Sequence, residues 1–149
     1  MEFRIPKPLQ VEHDELHQQL AKLTQQSGRV GEAAKTVAKI LHPHFVKEEE
    51  YALPPLGILP LLAAGQITPE MADVLSMTQR LKAELPQMLE EHKAIVAALH
   101  HLSEVAMQED QPEYARFAER LMLHAQAEED VFYPAAMLIG EYVKLKLNR

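Results

Sequence analysis

Apolar residues recur along the chain at alternating steps of three and four. One face carries Leu9, His13, Leu16, Leu20 and Leu23, and a second carries Val37, Leu41, His44, Glu48 and Tyr51. A third carries Leu81, Leu85, Met88, His92, Ile95, Leu99 and Leu102, and a fourth Tyr114, Phe117, Leu121, His124, Glu128 and Val131. This is the spacing of amphipathic helices that meet along a common seam, and it predicts an all-α fold. The first helix runs over about 9–26 and stops at Ser27-Gly28, with another glycine at 31. The second covers about 32–51, before Pro54-Pro55, and Pro43 within it marks a kink or a fresh start. The third opens on Thr68-Pro69-Glu70, an N-cap followed by a proline, and reaches about 108 with a bend at Pro86. The fourth opens at Asp110 with Pro112 just inside and reaches about 133. Pro134 breaks or kinks it there, and a last helix covers 135–147.

Each seam is interrupted near its middle by a histidine, and two seams add a glutamate four residues later. The interruptions repeat. Glu12-His13 recurs as Glu91-His92, and His44-x3-Glu48-Glu49-Glu50 before Pro54 recurs as His124-x3-Glu128-Glu129-Asp130 before Pro134. The chain therefore reads as one domain over 1–149, built from two helical hairpins of one design at about 9–52 and 70–134 and joined by 53–69. Packed antiparallel about a pseudo-two-fold axis, the hairpins would bring four histidines and two glutamates to one level of the core.

Composition narrows the chemistry. The net charge of −7 disfavours nucleic acid and anionic membranes as partners. There is no cysteine, which excludes disulfides, zinc–thiolate and iron–sulfur ligation and thiol catalysis. No stretch reads as a signal peptide, and the most apolar run, 53–65, holds three prolines and is too short to span a bilayer. A cytoplasmic protein is expected, with 53–65 as a docking or dimer surface.

With 8 histidines in 149 residues and glutamate abundant, chance supplies about one His-x3-Glu pair. The chain has three, and register separates them. His100/Glu104 lies beside its seam, so His100, His101 and His42 read as surface residues. His13, His44, Glu48, His92, His124 and Glu128 lie on the seams, where an unpaired carboxylate costs several kcal/mol or is neutralised. No lysine or arginine shares those positions. A metal centre resolves the conflict, because imidazole and carboxylate suit iron, manganese or zinc. Six donors would saturate one octahedral ion, but a two-fold arrangement favours two equivalent sets with glutamates reaching in from opposite hairpins. The Glu-x-x-His pair of ferritin-like bundles is absent, as is His-Glu-x-x-His.

One His, then His-x3-Glu, then His, then His-x3-Glu on successive helices resembles the hemerythrin-like (HHE cation-binding) domain over roughly 9–140. The resemblance implies an up-down-up-down four-helix bundle with a short C-terminal helix. It implies two non-haem iron ions, with manganese or zinc as substitutes, held by His13, His44, Glu48, His92, His124 and Glu128, the two glutamates bridging. It also implies a small ligand, O2, NO or peroxide, that is bound or transformed; an iron- or oxygen-sensing module without turnover is the alternative. Oxygen-carrying members have a further histidine where this chain has Val96, and an aspartate five residues after the last histidine where Glu128 stands at four. The missing imidazole would leave more exchangeable positions. The set is closer to bacterial di-iron proteins similar to the repair-of-iron-centres group, although those usually carry a cysteine-bearing region. Beside the set, His17 is a further donor, a pocket wall or a surface group. Tyr51 is an outer hydrogen-bonding partner or core, and Glu49, Glu50, Glu129 and Asp130 form a solvated acidic face.

Overall fold

A computed structural model describes residues 1–148, and among them there is no strand. Helix α1 (Lys7–Thr24) begins just after Pro6, with Pro8 in its first turn, where a missing N–H goes unneeded. Helix α2 (Gly28–Lys47) starts earlier than the sequence pattern predicts. Gly31 explains the difference. A Cβ there would lie 1.8 Å from the Gln26 carbonyl oxygen, so this glycine permits a tight hairpin and does not delay the helix. Pro43 lies inside α2 without ending it.

After the connector come α4 (Val74–Gln108), which continues through Pro86, and α5 (Pro112–Ala127). The short links 25–27 and 109–111 make each helix antiparallel to the next. Packing of α1 on α2, α2 on α4 and α4 on α5 gives the four-helix bundle. Thr68 sits at the N-cap position of a 3-10 turn, Pro69–Asp73, that leads into α4, and its hydroxyl makes no capping bond.

Helices α2 and α5 each run into a π-helical turn, Glu48–Ala52 and Glu128–Phe132. In the first, the Leu53 N–H reaches back to the Glu48 carbonyl at 2.9 Å. In the second, the Tyr133 N–H does the same to Glu128. A proline follows at once in both, Pro54 and Pro134. It has no N–H to offer the carbonyl four residues back, which favours the wider turn. The turn shifts the helical register by about one residue. Val131, assigned to the seam by its three-four spacing, is 53% exposed, and Tyr133 is fully buried in its place. Pro134 does not break the chain's course, because it falls in the first turn of α6 (Tyr133–Lys146).

The apolar connector turns mostly inward. Leu53, Pro54, Pro55, Leu56, Ile58 and Leu62 are buried in a 3-10 turn (Pro54–Ile58) and a short helix, α3 (Leu59–Ala63), that close one end of the bundle. The N-terminal segment crosses over them, and Gly57 is needed because a Cβ would meet the Arg4 carbonyl at 2.0 Å. Leu59 stays exposed beside Leu138, Tyr142 and Leu145 of α6.

Two apolar clusters form the core. One joins Leu16, Leu41, Phe45, Ile95, Leu99 and Leu121, and the other joins Tyr51, Leu81, Met88 and Tyr133 with the connector. Each of the four bundle helices carries a histidine at the boundary between the clusters, so a polar layer divides the core. Among the described residues, no helix is long and apolar enough to cross a membrane.

Candidate metal centre

The dividing layer is His13, His44, Glu48, His92, His124 and Glu128, none more than 5% exposed. The structure thus brings all six seam donors together, in two groups. His44, Glu48, His92 and Glu128 form one, and His13, His124 and Glu128 the other. The histidines pair accordingly, with ring centroids 4.6 Å apart for His44–His92 and 5.1 Å for His13–His124.

The two carboxylates lie between the groups, oxygen by oxygen. Glu48 Oε1 is 3.6 Å from His13 Nε2, and its Oε2 is 3.7 Å from His44 Nε2. Glu128 Oε2 is 3.4 Å from both His13 Nε2 and His124 Nε2, and its Oε1 is 3.4 Å from His92 Nε2. All four imidazoles present Nε2 to this interior.

Their other nitrogens face a second ring of acids. His44 Nδ1 donates to Glu91 at 2.8 Å, His92 Nδ1 to Glu129 at 2.9 Å and His124 Nδ1 to Glu12 at 2.6 Å. His13 Nδ1 faces Glu49 at 3.6 Å, beyond hydrogen-bonding range. The pattern obeys the duplication. Glu12 and Glu91 precede the histidines of α1 and α4 and serve α5 and α2. Glu49 and Glu129 come directly after the interior glutamates and serve α1 and α4. An N–H fixed at Nδ1 leaves the Nε2 lone pair free for a cation and fixes the ring's orientation.

Sequence reasoning missed this role for Glu12, Glu91 and Glu129, the last of which it assigned to a solvated face; Glu49, assigned there too, is exposed. The repeated Glu-His step was visible, but its partner lies across the bundle. Glu12→Gln should weaken metal binding about 10–100-fold, the usual cost of losing such a partner. Asp130→Asn, whose carboxylate meets only Gln126 among the described side chains, should leave binding unchanged. Chelator competition reads both, and equal affinities would refute the outer ring.

Sequence reasoning also missed Tyr133. Its hydroxyl donates to Glu48 Oε2 at 2.6 Å and lies 3.1 Å from the Nε2 atoms of both His44 and His92. Its sequence signal was the proline behind it, which marks the register shift. Tyr51 instead turns its hydroxyl to Glu84, under the Arg80 guanidinium, and belongs to the core rim. His17 stays exposed against His42 and Phe45, outside both donor groups. His42, His100 and His101 are exposed as well.

The layer's electrostatics are those of a site built for positive charge. Burial, then the neighbouring Glu128 carboxylate, pushes Glu48 well above the usual carboxyl range. Burial acts on Glu128 in the same direction. It is outweighed by the neighbouring Glu48 carboxyl and by the facing His124, His13 and His92 imidazoles, which hold it well below that range. The two glutamates therefore behave as one acid-base pair. Burial lowers His44 below its ordinary value. His92 and His124 are raised despite burial, because each faces Glu128 and an outer carboxylate. Burial, then Glu48 and Glu128, keeps the Tyr133 phenol protonated.

Three buried atoms of the layer, Glu48 Oε1, His124 Nε2 and His13 Nδ1, have no hydrogen-bond partner. Orphaned buried polar atoms are costly. The first two face the interior, where a cation would satisfy them, and imidazole with carboxylate is a donor set for iron, manganese or zinc. The residues present therefore fit a metal. A family model, that of the hemerythrin HHE cation binding domain, matches residues 5–136. No curated protein and no solved structure gives a significant match.

Proposed function

Starting from the chain's membership of the hemerythrin HHE cation-binding family, we propose that this protein holds two non-haem iron ions and uses them to bind or transform O2, NO or peroxide. One observation carries the two-ion reading. Each interior carboxylate turns one oxygen to each histidine pair, as a bridging carboxylate does and as a ligand of a single ion need not. His13 and His124 would hold one ion, His44 and His92 the other, with Glu48 and Glu128 spanning both. Bound there, the irons would supply a one-electron redox couple and exchangeable positions for the ligand.

The chain's own residues decide what reaches them. The donors are buried and flanked by Leu16, Leu41, Ile95 and Leu121 on one side and Met88 on the other. Apolar layers of this kind admit small neutral molecules and resist ions. The acidic outer ring adds to the resistance against anions. O2, NO and hydrogen peroxide meet both demands.

A regulatory module without turnover is the second reading. It is favoured by Tyr133, which touches the centre and opens α6, whose outer face carries exposed Leu138, Tyr142 and Leu145. A change at the centre would then move a surface helix.

The deciding experiment is iron reconstitution followed by metal analysis and visible spectroscopy. Two irons per chain and a band that changes with O2, NO or peroxide are expected. One iron per chain would refute the bridging arrangement, and a chain that takes up no metal would refute the centre itself. Rapid turnover of NO or peroxide would exclude the regulatory reading.

A further inference from the structure

The pseudo-two-fold symmetry of the centre fails where the π-turns close. Five residues after each interior glutamate stands the residue whose N–H closes the π-turn. In the first repeat it is Leu53 and in the second Tyr133. Only the second carries a side-chain oxygen, and that oxygen is aimed at one of the two donor groups.

We propose that Tyr133 is a metal ligand, its phenol oxygen taking a coordination position on the ion held by His44, His92 and Glu48. The inference rests on the di-iron reading above and deepens it. Neighbouring donors on an ion with bonds of about 2.1 Å lie about 3 Å apart. The Tyr133 oxygen is 3.1 Å from His44 Nε2, 3.1 Å from His92 Nε2 and 2.6 Å from Glu48 Oε2, so it takes its place as one more vertex of the same polyhedron.

Hydrogen bonding alone leaves this arrangement unexplained. A phenol has one proton to donate, and Glu48 accepts it. In the neutral form that ligates a metal, with their Nδ1 protons committed to Glu91 and Glu129, His44 and His92 present lone pairs at Nε2. Two of the three short contacts of the phenol oxygen are then lone pair against lone pair. A cation among these atoms makes all of them attractive, and its binding releases the phenolic proton to solvent.

The consequence is a division of labour. The ion at His44 and His92 gains a seventh protein donor for the centre, while the ion at His13 and His124 has no counterpart. In that half, Phe45 stacks on His13 with ring centroids 4.4 Å apart. The exchangeable positions therefore lie mainly at the His13/His124 ion, and the small ligand binds there.

Ferric iron bound to a phenolate gives a visible charge-transfer band and characteristic ring modes in resonance Raman spectra. The ferric-loaded protein should show both. Tyr133→Phe, at matched iron content, should lose them. A triple variant, Tyr51→Phe with Tyr114→Phe and Tyr142→Phe, removes the other three of the chain's four tyrosines and should retain them. This second variant assigns the signal even if Tyr133→Phe does not fold. Two ferric ions per chain without a phenolate signature would overturn the proposal and leave the di-iron reading intact. Loss of the signature in the triple variant would overturn it equally. A chain that binds no iron would overturn both.

Discussion

On the two-ion reading, Glu128→Gln should abolish binding of both ions, whereas His124→Ala should leave about one ion per chain. Glu128 is the carboxylate common to the two donor groups. Its oxygens lie 3.4 Å from His13, His92 and His124, histidines drawn from both pairs. The amide of glutamine keeps the shape but removes the charge and puts N–H donors where a cation needs lone pairs. Structural zinc sites bind with about 10–16 kcal/mol spread over four ligands, so each ligand is worth roughly 3 kcal/mol, on the order of 100-fold in Kd. A bridging ligand exacts that loss from both ions. His124 serves one group alone, so the His44/His92 group should still load. Metal analysis after loading at limiting free iron separates the variants. Two ions retained by Glu128→Gln would contradict the bridging geometry, as would equal loss in both variants.

The sequence made the six interior donors legible because their signal is a conflict. Histidine and glutamate occupy seam positions that their neighbours reserve for leucine, and the conflict recurs with the same spacing. Helical periodicity suffices to place such residues at one level. It does not place the next turn of the chain. Beyond Glu48 and Glu128 the backbone widens into π-turns, and a three-four count then assigns Val131 to the interior and misses Tyr133. Pro134 was the available clue, read as a helix breaker when its missing N–H instead favours a wider turn that leads straight into α6, whereas before Pro54 the helix does end.

The outer carboxylates were hidden for a different reason. Glu12 and Glu91 look like surface charges on their own helices, and their partners are His124 and His44 across the bundle. Only the packed arrangement relates them. The connector was misread in the opposite sense. Its leucines and prolines suggest a surface for a partner, but most of them fill the end of this chain's own core. Apolar composition alone does not tell which surface a segment covers.

The same polar layer predicts how the protein responds to metal. Removing bound iron with a chelator should lower the melting temperature by about 10 °C or more, and restoring it should reverse the loss. Six buried polar side chains separate the two apolar clusters, and without a cation Glu48 Oε1 and His124 Nε2 lack partners. The metal-free core is therefore interrupted at mid-height, where leucine would otherwise join its halves. A ligand bound to the native state alone adds about 4 kcal/mol at a free concentration 1,000-fold above its Kd. For a chain of this size, 1 kcal/mol moves Tm by about 2–4 °C, so a single ion should contribute about 8–16 °C. The sign of the pH dependence comes from competition between metal and protons. Imidazole must be neutral to ligate, and His92 and His124 are raised above their ordinary value, so the increment should shrink as pH falls, beginning above the range of a free imidazole. Glu128→Gln should melt at one temperature with or without iron, because it has lost the site and not merely stability. Calorimetry at several pH values, with chelator and with iron, measures these differences. If the wild type melts identically in both, the layer is a structural polar core and the metal reading is wrong.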